Sequence, residues 1–479
     1  TFYHITGRSR GDEGAYYTYK LSGGIRTDIT YYYYGTYANP DAKIHAGSAD
    51  PSFLMTWSDT YRWSGSLATQ VIKSTTHYDV HLDEKGEEIA DYTWNYNYAG
   101  NTIKTITRYW YSVTTSSIVA AAAAAANYLM KEVTTYYWTS GAQGNIMSHA
   151  YYSIFKDATL RAKGEEIADS TYYYGDYSSY NTRLDTYYYG TIEGNGSDAN
   201  SSDADWLMVR SDSKNMQTNT MMSKTYYNIK KNGATLRAKG EEIADFTYTY
   251  NSSGTAYVDV AIFFYGAGNT RAKSAVDGTA NESTIRLTTT DVTSSNYAAL
   301  TNKIRLVTTT TDSRDDFVHE VGGNFVPVDD GTPPPYEFGT ESNMQRCYMK
   351  SYDVYEIRYG KGYEILAYSY TYEITYNGTT PPIIVTGYIT TAAKYFYNIV
   401  DDIESVIDYD DSLNPKDSAA VTPDTPMAKY VSYKNCDISG ANITNPDNWS
   451  YSVMYYINWW GKGKEKPRLL YIKNNFNYY

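Results

Sequence analysis

Aliphatic side chains are scarce in this chain of 479 residues. Leu occurs 16 times, and Leu, Ile, Val and Phe together make up 80 of the 479 residues. This share is below the roughly 20% that separates folded chains from charged, disordered ones. The shortage excludes a Leu-rich helical protein and a membrane bundle, and no apolar run approaches the roughly 18 residues of a membrane span. A surplus of rings excludes disorder, because 58 Tyr and 9 Trp provide enough apolar area for a core.

Positive charge and cysteine are also scarce. The chain has 41 Lys and Arg residues and 54 Asp and Glu residues, and the net charge of −13 disfavours a nucleic-acid partner, which needs a basic surface. Two cysteines, Cys347 and Cys436, are too few for a disulfide scaffold. They pair with each other, pair between subunits or stay free, and the sequence does not choose among these states.

The first residue is Thr1 rather than Met. This start fits either a trimmed sequence or a mature secreted protein whose signal peptide has been removed. The second interpretation predicts an extracellular protein at the cell surface.

Signatures of catalysis are missing as well. The six His include no H-E-x-x-H pair, and the chain has no G-x-S-x-G elbow, no Walker loop and no C-x-x-C. Glu87 and Glu88 resemble paired catalytic carboxylates, but adjacent residues of a predicted strand point to opposite faces. The same pair recurs in three copies, which argues against a single active site. We therefore expect that the protein is not an enzyme.

The strongest signal in the sequence is an internal repeat. The heptapeptide Lys-Gly-Glu-Glu-Ile-Ala-Asp occurs at Lys85–Asp91, Lys163–Asp169 and Lys239–Asp245, with its glycines 78 and 76 residues apart. Degenerate copies around Gly11 and Gly362 bring the number of repeats to five, starting near 11, 86, 164, 240 and 362. The predicted organisation is four tandem Tyr-rich repeats in 1–310, a Pro/Asp-containing insertion or linker in 311–345, and a fifth divergent repeat with C-terminal strands in 346–479.

Aromatic residues alternate with small polar residues after each glycine, at offsets +8 and +10. A period of two places the rings on one face of a strand, and Tyr and Thr both favour strands. A further Tyr precedes offset +26 in the central repeats, and we place the matching position of the fifth repeat at Gly387. These patterns predict an all-β fold of tandem antiparallel repeats of about 76 residues, which form an extended sheet, an arcade or a solenoid-like array.

The alternating rings are the first candidate site. They either form a core against a second sheet or provide an interface, because Tyr buries a large ring and keeps a hydroxyl for hydrogen bonds. The candidate assembly and core residues are Trp94, Tyr96, Tyr172, Tyr174, Tyr248, Tyr250, Tyr370 and Tyr372.

A loop rich in Gly, Asn and Ser carries the second candidate site, at Asp198, Asp203 and Asp205. Ca²⁺ takes roughly six to eight oxygen ligands from loops of this kind. The glycine of an EF-hand is missing, so a calcium site and an ordinary solvated loop both remain open. No other cofactor is predicted.

One segment departs from the composition of the repeats. Ala120–Ala126 is a run of alanines at offsets where the next repeat holds Asp198–Ala204. The run is either a genuine Ala-rich loop or an error in the sequence.

The heptapeptide repeats, the Tyr/Thr alternation and the sparse cysteines resemble the amyloid-like, self-assembling sheath proteins of methanogenic archaea, over roughly residues 11–390. That resemblance implies an extracellular tube of continuous β-sheet hoops, held in part by intermolecular disulfides for which Cys347 and Cys436 are the candidates. A looser likeness to the Tyr-Asp repeat shells of bacterial toxins, at Tyr78-Asp79 and Tyr352-Asp353, is weakened by the much shorter repeats of those shells.

These observations predict a structural protein that self-assembles outside the cell into a sheath, tube or fibre through β-sheet edges and tyrosine-rich faces. Its partner would then be further copies of itself. The alternative is a cell-surface adhesin or carbohydrate-binding protein with glycans as partners, because sugar-binding faces also use rings. A polysaccharide-active enzyme is a third hypothesis, for which the sequence offers no carboxylate pair.

Overall fold

The computed structural model describes a chain that is almost entirely β-strand. The described residues are 1–5, 13–22, 25–63, 70–139, 141–175, 180–193, 195–231, 235–255, 257–265, 270–272, 283–291, 318–321, 324–327, 347–356, 365–376, 384–397, 416–417, 420, 427–434, 450–457 and 468–476. Among them, no helix has the length and apolarity needed to cross a membrane.

The first two repeats contain eleven strands, counting the strand that precedes the first repeat. They are β1 (Phe2–His4), β2 (Gly14–Ser22), β3 (Ile25–Thr36), β4 (Asn39–His45), β5 (Leu54–Arg62), β6 (Val71–Asp79), β7 (Ile89–Tyr96), β8 (Ile103–Ser112), β9 (Val119–Ala120), β10 (Leu129–Thr139) and β11 (Ala142–Ser153).

The third and fourth repeats follow with the same plan. Their strands are β12 (Phe155–Lys156), β13 (Thr159–Leu160), β14 (Ile167–Tyr174), β15 (Asn181–Ile192), β16 (Asn195–Asp198), β17 (Leu207–Asn215), β18 (Thr220–Asn228), β19 (Lys230–Lys231), β20 (Thr235–Leu236), β21 (Ile243–Tyr250), β22 (Tyr257–Tyr265), β23 (Thr270–Arg271), β24 (Ser283–Asp291), β25 (Val318–Val321), β26 (Asn324–Pro327) and β27 (Cys347–Glu356).

The last strands belong to the fifth repeat and to one strand beyond it. They are β28 (Ile365–Tyr376), β29 (Ile384–Tyr397), β30 (Lys416–Asp417), β31 (Met427–Lys434), β32 (Ser450–Ile457) and β33 (Arg468–Phe476). Two 3₁₀ turns, Ala121–Ala123 and Ala199–Ser201, lie in the second and third repeats.

The strands belong to two compact bodies. One comprises Thr1–Met221 with Ala238–Glu241, and the other comprises Met222–Arg237 with Glu242–Tyr479. In the first body the long strands pair in the order β1, β2, β3, β5, β6, β7, β8, β10, β11, β14, β15, β17, always antiparallel. In the second body the antiparallel order is β18, β21, β22, β24, β27, β28, β29, β31, β32, β33.

Within each body, each interior long strand therefore pairs with the long strand before it and the one after it, as in a meander. A repeat consists of four long strands, such as β7, β8, β10 and β11, and short strands such as β4, β9 and β16 pair beside the end of the second one. This pattern confirms the prediction of an all-β fold built as an extended antiparallel sheet. Tyrosine and threonine form such strands because side chains at alternating positions pack across the pleated surface.

The strand pairing moves one repeat boundary relative to the sequence prediction. Cys347–Glu356 pairs with β24 on one side and β28 on the other, as the fourth long strand of the fourth repeat. The insertion predicted at 311–345 therefore lies inside the fourth repeat, where its described part is the β25–β26 hairpin. The two bodies divide near Met221 instead.

Candidate assembly surface

A small core recurs in the repeats, where the first long strand meets the second. In the second repeat it contains Ile89, Tyr111, Ala121 and Ala124, and in the third it contains Ile167, Tyr189 and Ala199. The matching cluster contains Tyr34, Ala46 and Ala49 in the first repeat, Ile243, Tyr265 and Ala272 in the fourth, and Ile365 and Tyr397 in the fifth.

The isoleucine is the fifth residue of the heptapeptide, and its burial explains why that position is invariant. Ile89 is 5% exposed, Ile167 1% and Ile243 1%. Full burial of an aliphatic side chain contributes about 2 kcal/mol. Each repeat thus contributes its own small apolar cluster, which compensates for the shortage of aliphatic residues in the chain as a whole.

A tyrosine hydroxyl ties the second long strand to the first in every repeat. Tyr111 Oη donates to the carbonyl oxygen of Ala90 at 2.6 Å, and Tyr189 donates to Ala168 at 2.7 Å. The equivalent bonds run from Tyr34 to Ala15, from Tyr265 to Ala244 and from Tyr397 to Leu366. Burial raises the pKa of the Tyr111 hydroxyl, which therefore stays protonated and able to donate.

This bond corrects the alignment of the fifth repeat. Gly387 pairs with Ile374 inside the long β28–β29 hairpin, and Tyr397 takes the position that the sequence pattern assigned to the residue before Gly387. The hairpin strands are 12 and 14 residues long, against 8 and 10 for β7 and β8. The longer hairpin moves the tyrosine out of the expected offset.

The Lys-Gly turn shows why the glycine of the heptapeptide is invariant. Gly86, Gly164 and Gly240 have φ of +91°, +88° and +86°, a region in which residues with a Cβ are strained. The carboxylates that follow lie between the turn and the strand, which begins only at Ile89. The prediction that Glu87 and Glu88 point to opposite faces of a strand is therefore wrong.

The second glutamate of the turn reaches back to the preceding repeat. Glu88 Oε1 accepts the backbone N–H of Met55 at 3.0 Å, and Glu166 Oε1 accepts that of Met130 at 3.1 Å. Met55 and Met130 hold the same position in their repeats, near the start of the third long strand. One carboxylate per boundary thus satisfies a backbone donor of the preceding repeat.

The lysine of the turn makes a second tie between neighbouring repeats. Lys163 Nζ donates to the carbonyl oxygen of Ala126 at 3.2 Å and forms an ion pair with Glu87 at 3.2 Å. Lys239 Nζ repeats the first contact with the carbonyl of Ala204 at 2.6 Å. These side chains are largely exposed, so each pair contributes at most about 1 kcal/mol.

The alternating rings predicted from the sequence lie on the strands as expected. Among the described side chains of that set, all are half-buried: Trp94, Tyr96, Tyr172, Tyr174, Tyr248 and Tyr250. Tyr370 and Tyr372 lie in β28 with side chains outside the described residues. Half-burial separates these rings from the fully buried tyrosines of the small cores.

Ring contacts continue from strand to strand on this side of the sheet, which we call the aromatic face. In the first body the His77 and Tyr92 rings stack at 5.0 Å, and Trp57 and Trp94 lie 5.9 Å apart. In the second body the rings of Tyr226 in β18 and Phe246 in β21 stack at 4.8 Å. Such pairs add about 1 kcal/mol each beyond their buried area.

Hydroxyl groups occupy the opposite face. The Oγ1 atoms of Thr76 and Thr93 lie 2.8 Å apart, and Thr93 Oγ1 lies 2.8 Å from Tyr109 Oη. Thr93 stands between Tyr92 and Trp94 in β7, so the pleat places it on the other side from those rings. The two faces therefore differ in chemistry, one aromatic and one hydroxylated.

The three aspartates proposed as calcium ligands do not gather around one point. Asp198 Oδ1 accepts the backbone N–H of Ser201 and caps the 3₁₀ turn, whereas Asp203 forms an ion pair with Lys156. Asp205 is exposed, and with Asp203 it lines a cleft of about 530 Å³. No cluster of three metal-binding side chains occurs in the described part of the chain.

Neither cysteine can be placed in a disulfide. Cys347 begins β27, where its backbone pairs with Asp291, but its side chain is outside the described residues. Cys436 lies outside the described residues altogether. Their pairing stays a prediction.

Two members of the alanine run have a packing role. Ala121 and Ala124 are both 0% exposed, and Ala46 and Ala199 are equally buried at the position that matches Ala121. A larger side chain at these positions would overfill a closed cluster. Ala122, Ala123 and Ala125 are exposed, and nothing in the structure explains them.

Sequence reasoning missed the alanine position and the carboxylate tie, although both leave a signal. Ala46, Ala121 and Ala199 share offset +35, and Met55 and Met130 share offset +44. A search for single positions that recur at the repeat spacing would have found both.

Comparisons with known proteins add little to this account. No protein-family model matches the chain, and no curated protein matches it. The crystal structure of TcdB2-TccC3-Cdc42 is similar at 6% identity and a TM-score of 0.15, covering 90% of this chain and 19% of that one. The structure of TcdB2-TccC3 matches at 8% identity and a TM-score of 0.10, covering 93% and 22%. This chain spans about a fifth of their length, and likenesses this low carry no argument.

Proposed function

We propose that this chain is a structural, non-enzymatic protein that assembles with further copies of itself outside the cell into a sheath, tube or fibre. The observation that supports it is that successive repeats are joined by recurring contacts: antiparallel backbone pairing at all four boundaries, and a glutamate contact at the first two. A surface that fits the neighbouring repeat is, by repetition, a surface that fits another copy.

The backbone contacts of a boundary suit such growth. Antiparallel pairing of a fourth strand with the next first strand, such as β6 with β7, uses main-chain groups that every strand presents. At one boundary the carboxylate of Glu88 also accepts a hydrogen bond from the backbone N–H of Met55, and at the next Glu166 accepts one from Met130. These side chains set the register, because a slip of one residue would leave the Met130 amide without its carboxylate.

The aromatic face supports the same proposal in a different way. Its rings are half-buried, so lateral contact between assembled sheets would remove further apolar area from water. Tyrosine loses little side-chain freedom on ordering, which suits a permanent contact.

Electron micrographs and X-ray fibre diffraction of the purified chain test the proposal. We expect filaments or tubes with a strand spacing of roughly 4.8 Å along the assembly. A monodisperse monomer in light scattering, across the concentrations at which the protein is secreted, contradicts it.

Glycan binding is the competing outcome. Tyr172→Ala and Tyr248→Ala remove half-exposed rings without touching the small cores. Loss of glycan-array binding in these variants, with circular dichroism and assembly unchanged, would favour a carbohydrate-binding protein. Loss of assembly alone would favour the structural role.

A further inference from the structure

Three Asn-x-Ser sequences lie among the described residues, at Asn195, Asn200 and Asn251. This tripeptide is the acceptor of N-linked oligosaccharides in proteins that pass out of the cell. The motif consists of the asparagine amide and the hydroxyl two residues later, so a site in the folded chain must present both groups at the surface. The three sequences differ in this respect.

Asn200 does not present both groups in the folded chain. It is exposed, but Ser202 is 0% exposed, and the Oγ atom of Ser202 donates to the carbonyl oxygen of Asp198 at 2.7 Å. Asn195 lies in β16, with a side chain outside the described residues. Neither of these two sequences therefore supports a proposal.

Asn251 begins the turn that joins β21 to β22. Its Oδ1 atom accepts the backbone N–H of Thr255 at 3.0 Å and the hydroxyl of Ser253 at 2.9 Å. The N–H of Gly254, which has φ of +70°, donates to the carbonyl oxygen of Asn251 at 2.9 Å. Ser253 is exposed and Asn251 is half-buried. Because all these contacts are local, the turn itself holds the two acceptor groups side by side at the surface.

The turn between β7 and β8 has the same construction without the hydroxyl. Asn97 Oδ1 accepts the backbone N–H of Asn101 at 3.0 Å, and the N–H of Gly100 donates to the carbonyl oxygen of Asn97 at 3.1 Å. Ala99 takes the place that Ser253 has in the other turn. The two turns thus share their hydrogen bonds and differ in one acceptor group.

The position of Asn251 is compatible with the packing of its repeat. Asn251 directly follows β21, whose first residue is Ile243 and whose length is 8 residues. Ile243 belongs to the small core with Tyr265 and Ala272. A substituent on Asn251 therefore lies at the opposite end of the strand from that core and does not disturb it.

From these observations we infer that Asn251 carries an N-linked oligosaccharide. The inference rests on the extracellular location in the proposed function. The co-reactant is an oligosaccharide joined through phosphate to a membrane lipid, and an oligosaccharyltransferase of the secreting cell catalyses the transfer. Nδ2 of Asn251 forms a bond to C1 of the first sugar as the bond between C1 and the phosphate oxygen breaks. The lipid phosphate leaves with that electron pair, and the amide proton passes to a base of the transferase.

Glycopeptide mass spectrometry of the native protein tests the site. Trypsin releases Asn251 in the peptide 240–271 and Asn97 in the peptide 86–104. We expect the first peptide to gain the mass of one oligosaccharide, located at Asn251 by electron-transfer fragmentation, and the second to be unmodified. Biotinylation of intact cells of the same culture reports whether the protein lies outside the cell.

Three variants expressed in the same cells test the contribution of the hydroxyl. Ser253→Ala should lose the oligosaccharide and Ser253→Thr should keep it, because only the second retains a hydroxyl at this position. Ala99→Ser gives the matched turn its missing group, and we expect it to gain an oligosaccharide at Asn97. All three should keep the parent's circular dichroism, since Ser253 and Ala99 are both exposed.

The outcomes separate this inference from the proposed function. A protein that is labelled outside the cell but has an unmodified Asn251 overturns the inference and leaves the structural role intact. Retention of the oligosaccharide in Ser253→Ala, or an unmodified Asn97 in Ala99→Ser, overturns the inference as well. A protein that is found only inside the cell, with Asn251 unmodified, overturns both.

Discussion

The second and third repeats solve the same packing problem with different side chains. Both bury an isoleucine, a tyrosine and an alanine where a 3₁₀ turn covers the sheet. In the third repeat polar side chains hold the turn: Asp198 caps it, and the guanidinium of Arg161 donates to the carbonyl oxygens of Ala199 and Ser202 at 2.7 Å. The second repeat has Asp83 in place of Arg161, and Ala120 at its cap makes no side-chain hydrogen bond.

The comparison distinguishes the contacts that both repeats share from those that differ between them. The buried isoleucine and the tyrosine hydrogen bond are common to both, so we regard them as the requirement. The means of holding the turn is replaceable, because Ala124 fills apolar space where Ser202 makes polar contacts.

The largest effect is expected from the shared isoleucines. Ile89→Ala and Ile167→Ala should each lower the free energy of unfolding by about 2–5 kcal/mol, because both leave a cavity in a closed cluster. Denaturant melts of the two variants should agree, and Ile192→Ala serves as an exposed control with little change. A large effect in only one repeat would show that the cores are not equivalent.

Arg161 should distinguish the two repeats. Arg161→Met leaves the carbonyl groups of Ala199 and Ser202 buried without donors, and we expect a loss of about 3 kcal/mol. Thermal denaturation measures it, with Lys163→Met as a control for the removal of an exposed charge nearby. An unchanged melting temperature would show that water replaces the guanidinium.

The alanine run provides the next test. Ala121→Leu should lower stability by about 2 kcal/mol, since the extra methyl groups must fit against Tyr111 and Ile89. Ala122→Leu, one residue away on the exposed side of the turn, should change stability by less than about 0.5 kcal/mol. Equal effects at the two positions would contradict the burial described here.

The tyrosine bond should have a smaller and equal value in both repeats. Tyr111→Phe and Tyr189→Phe keep the ring but leave the carbonyl of Ala90 or Ala168 without its donor, at a cost of about 1 kcal/mol. Tyr180→Phe, at a ring that is 73% exposed, is the control. Chemical denaturation of the pair reveals any difference.

The smallest effect concerns the aspartate at the bulge. Burial raises the pKa of Asp169, with a partly offsetting hydrogen bond from Ser170. The protonated form is therefore favoured in the folded chain, and ionisation costs stability as the pH rises through the raised pKa. Asp169→Asn should melt at a higher temperature than the parent at pH 7, and the difference should vanish below the ordinary aspartate pKa of about 3.9.

Asp91 is the matched position in the second repeat. Its carboxylate lies 3.6 Å from the ring nitrogen of His77, so Asp91→Asn should bring no such gain. A pH-independent difference for Asp169→Asn would contradict the role of burial.

Local periodicity in the sequence was enough to predict the strands, and the recurrence of Lys-Gly-Glu-Glu was enough to predict the repeats. Both are short-range features that alternation and turn chemistry make visible. The partners of Glu88 and Lys163 lie in the preceding repeat, so local patterns did not reveal them, and the only signal of the Glu88 contact is the recurrence of Met55 and Met130 at offset +44. The fifth repeat was misaligned at Gly387 because a hairpin can lengthen without losing its alternation.

The candidate rings were only partly informative. Tyr172 and Tyr174 lie two residues apart in β14 and so share a face of that strand, yet alternation cannot tell a half-buried ring from the buried Tyr111 or Tyr189. Burial depends on the loop that folds over the strand end, and that loop varies in sequence from repeat to repeat. In the third repeat, for example, Asp198 caps the 3₁₀ turn of that loop and Asp203 forms an ion pair with Lys156.

The direction of the meander has a mechanical consequence. Within each body the hydrogen bonds between strands run across the strands, along the line in which one strand succeeds the next. A force perpendicular to the strands separates one pair of strands at a time. A force parallel to the strands is shared by all the hydrogen bonds between a pair. The sheet of each body is therefore stiffest along its strands, and the boundary held by Glu166 and Lys163 is a point at which separation of the strands slows.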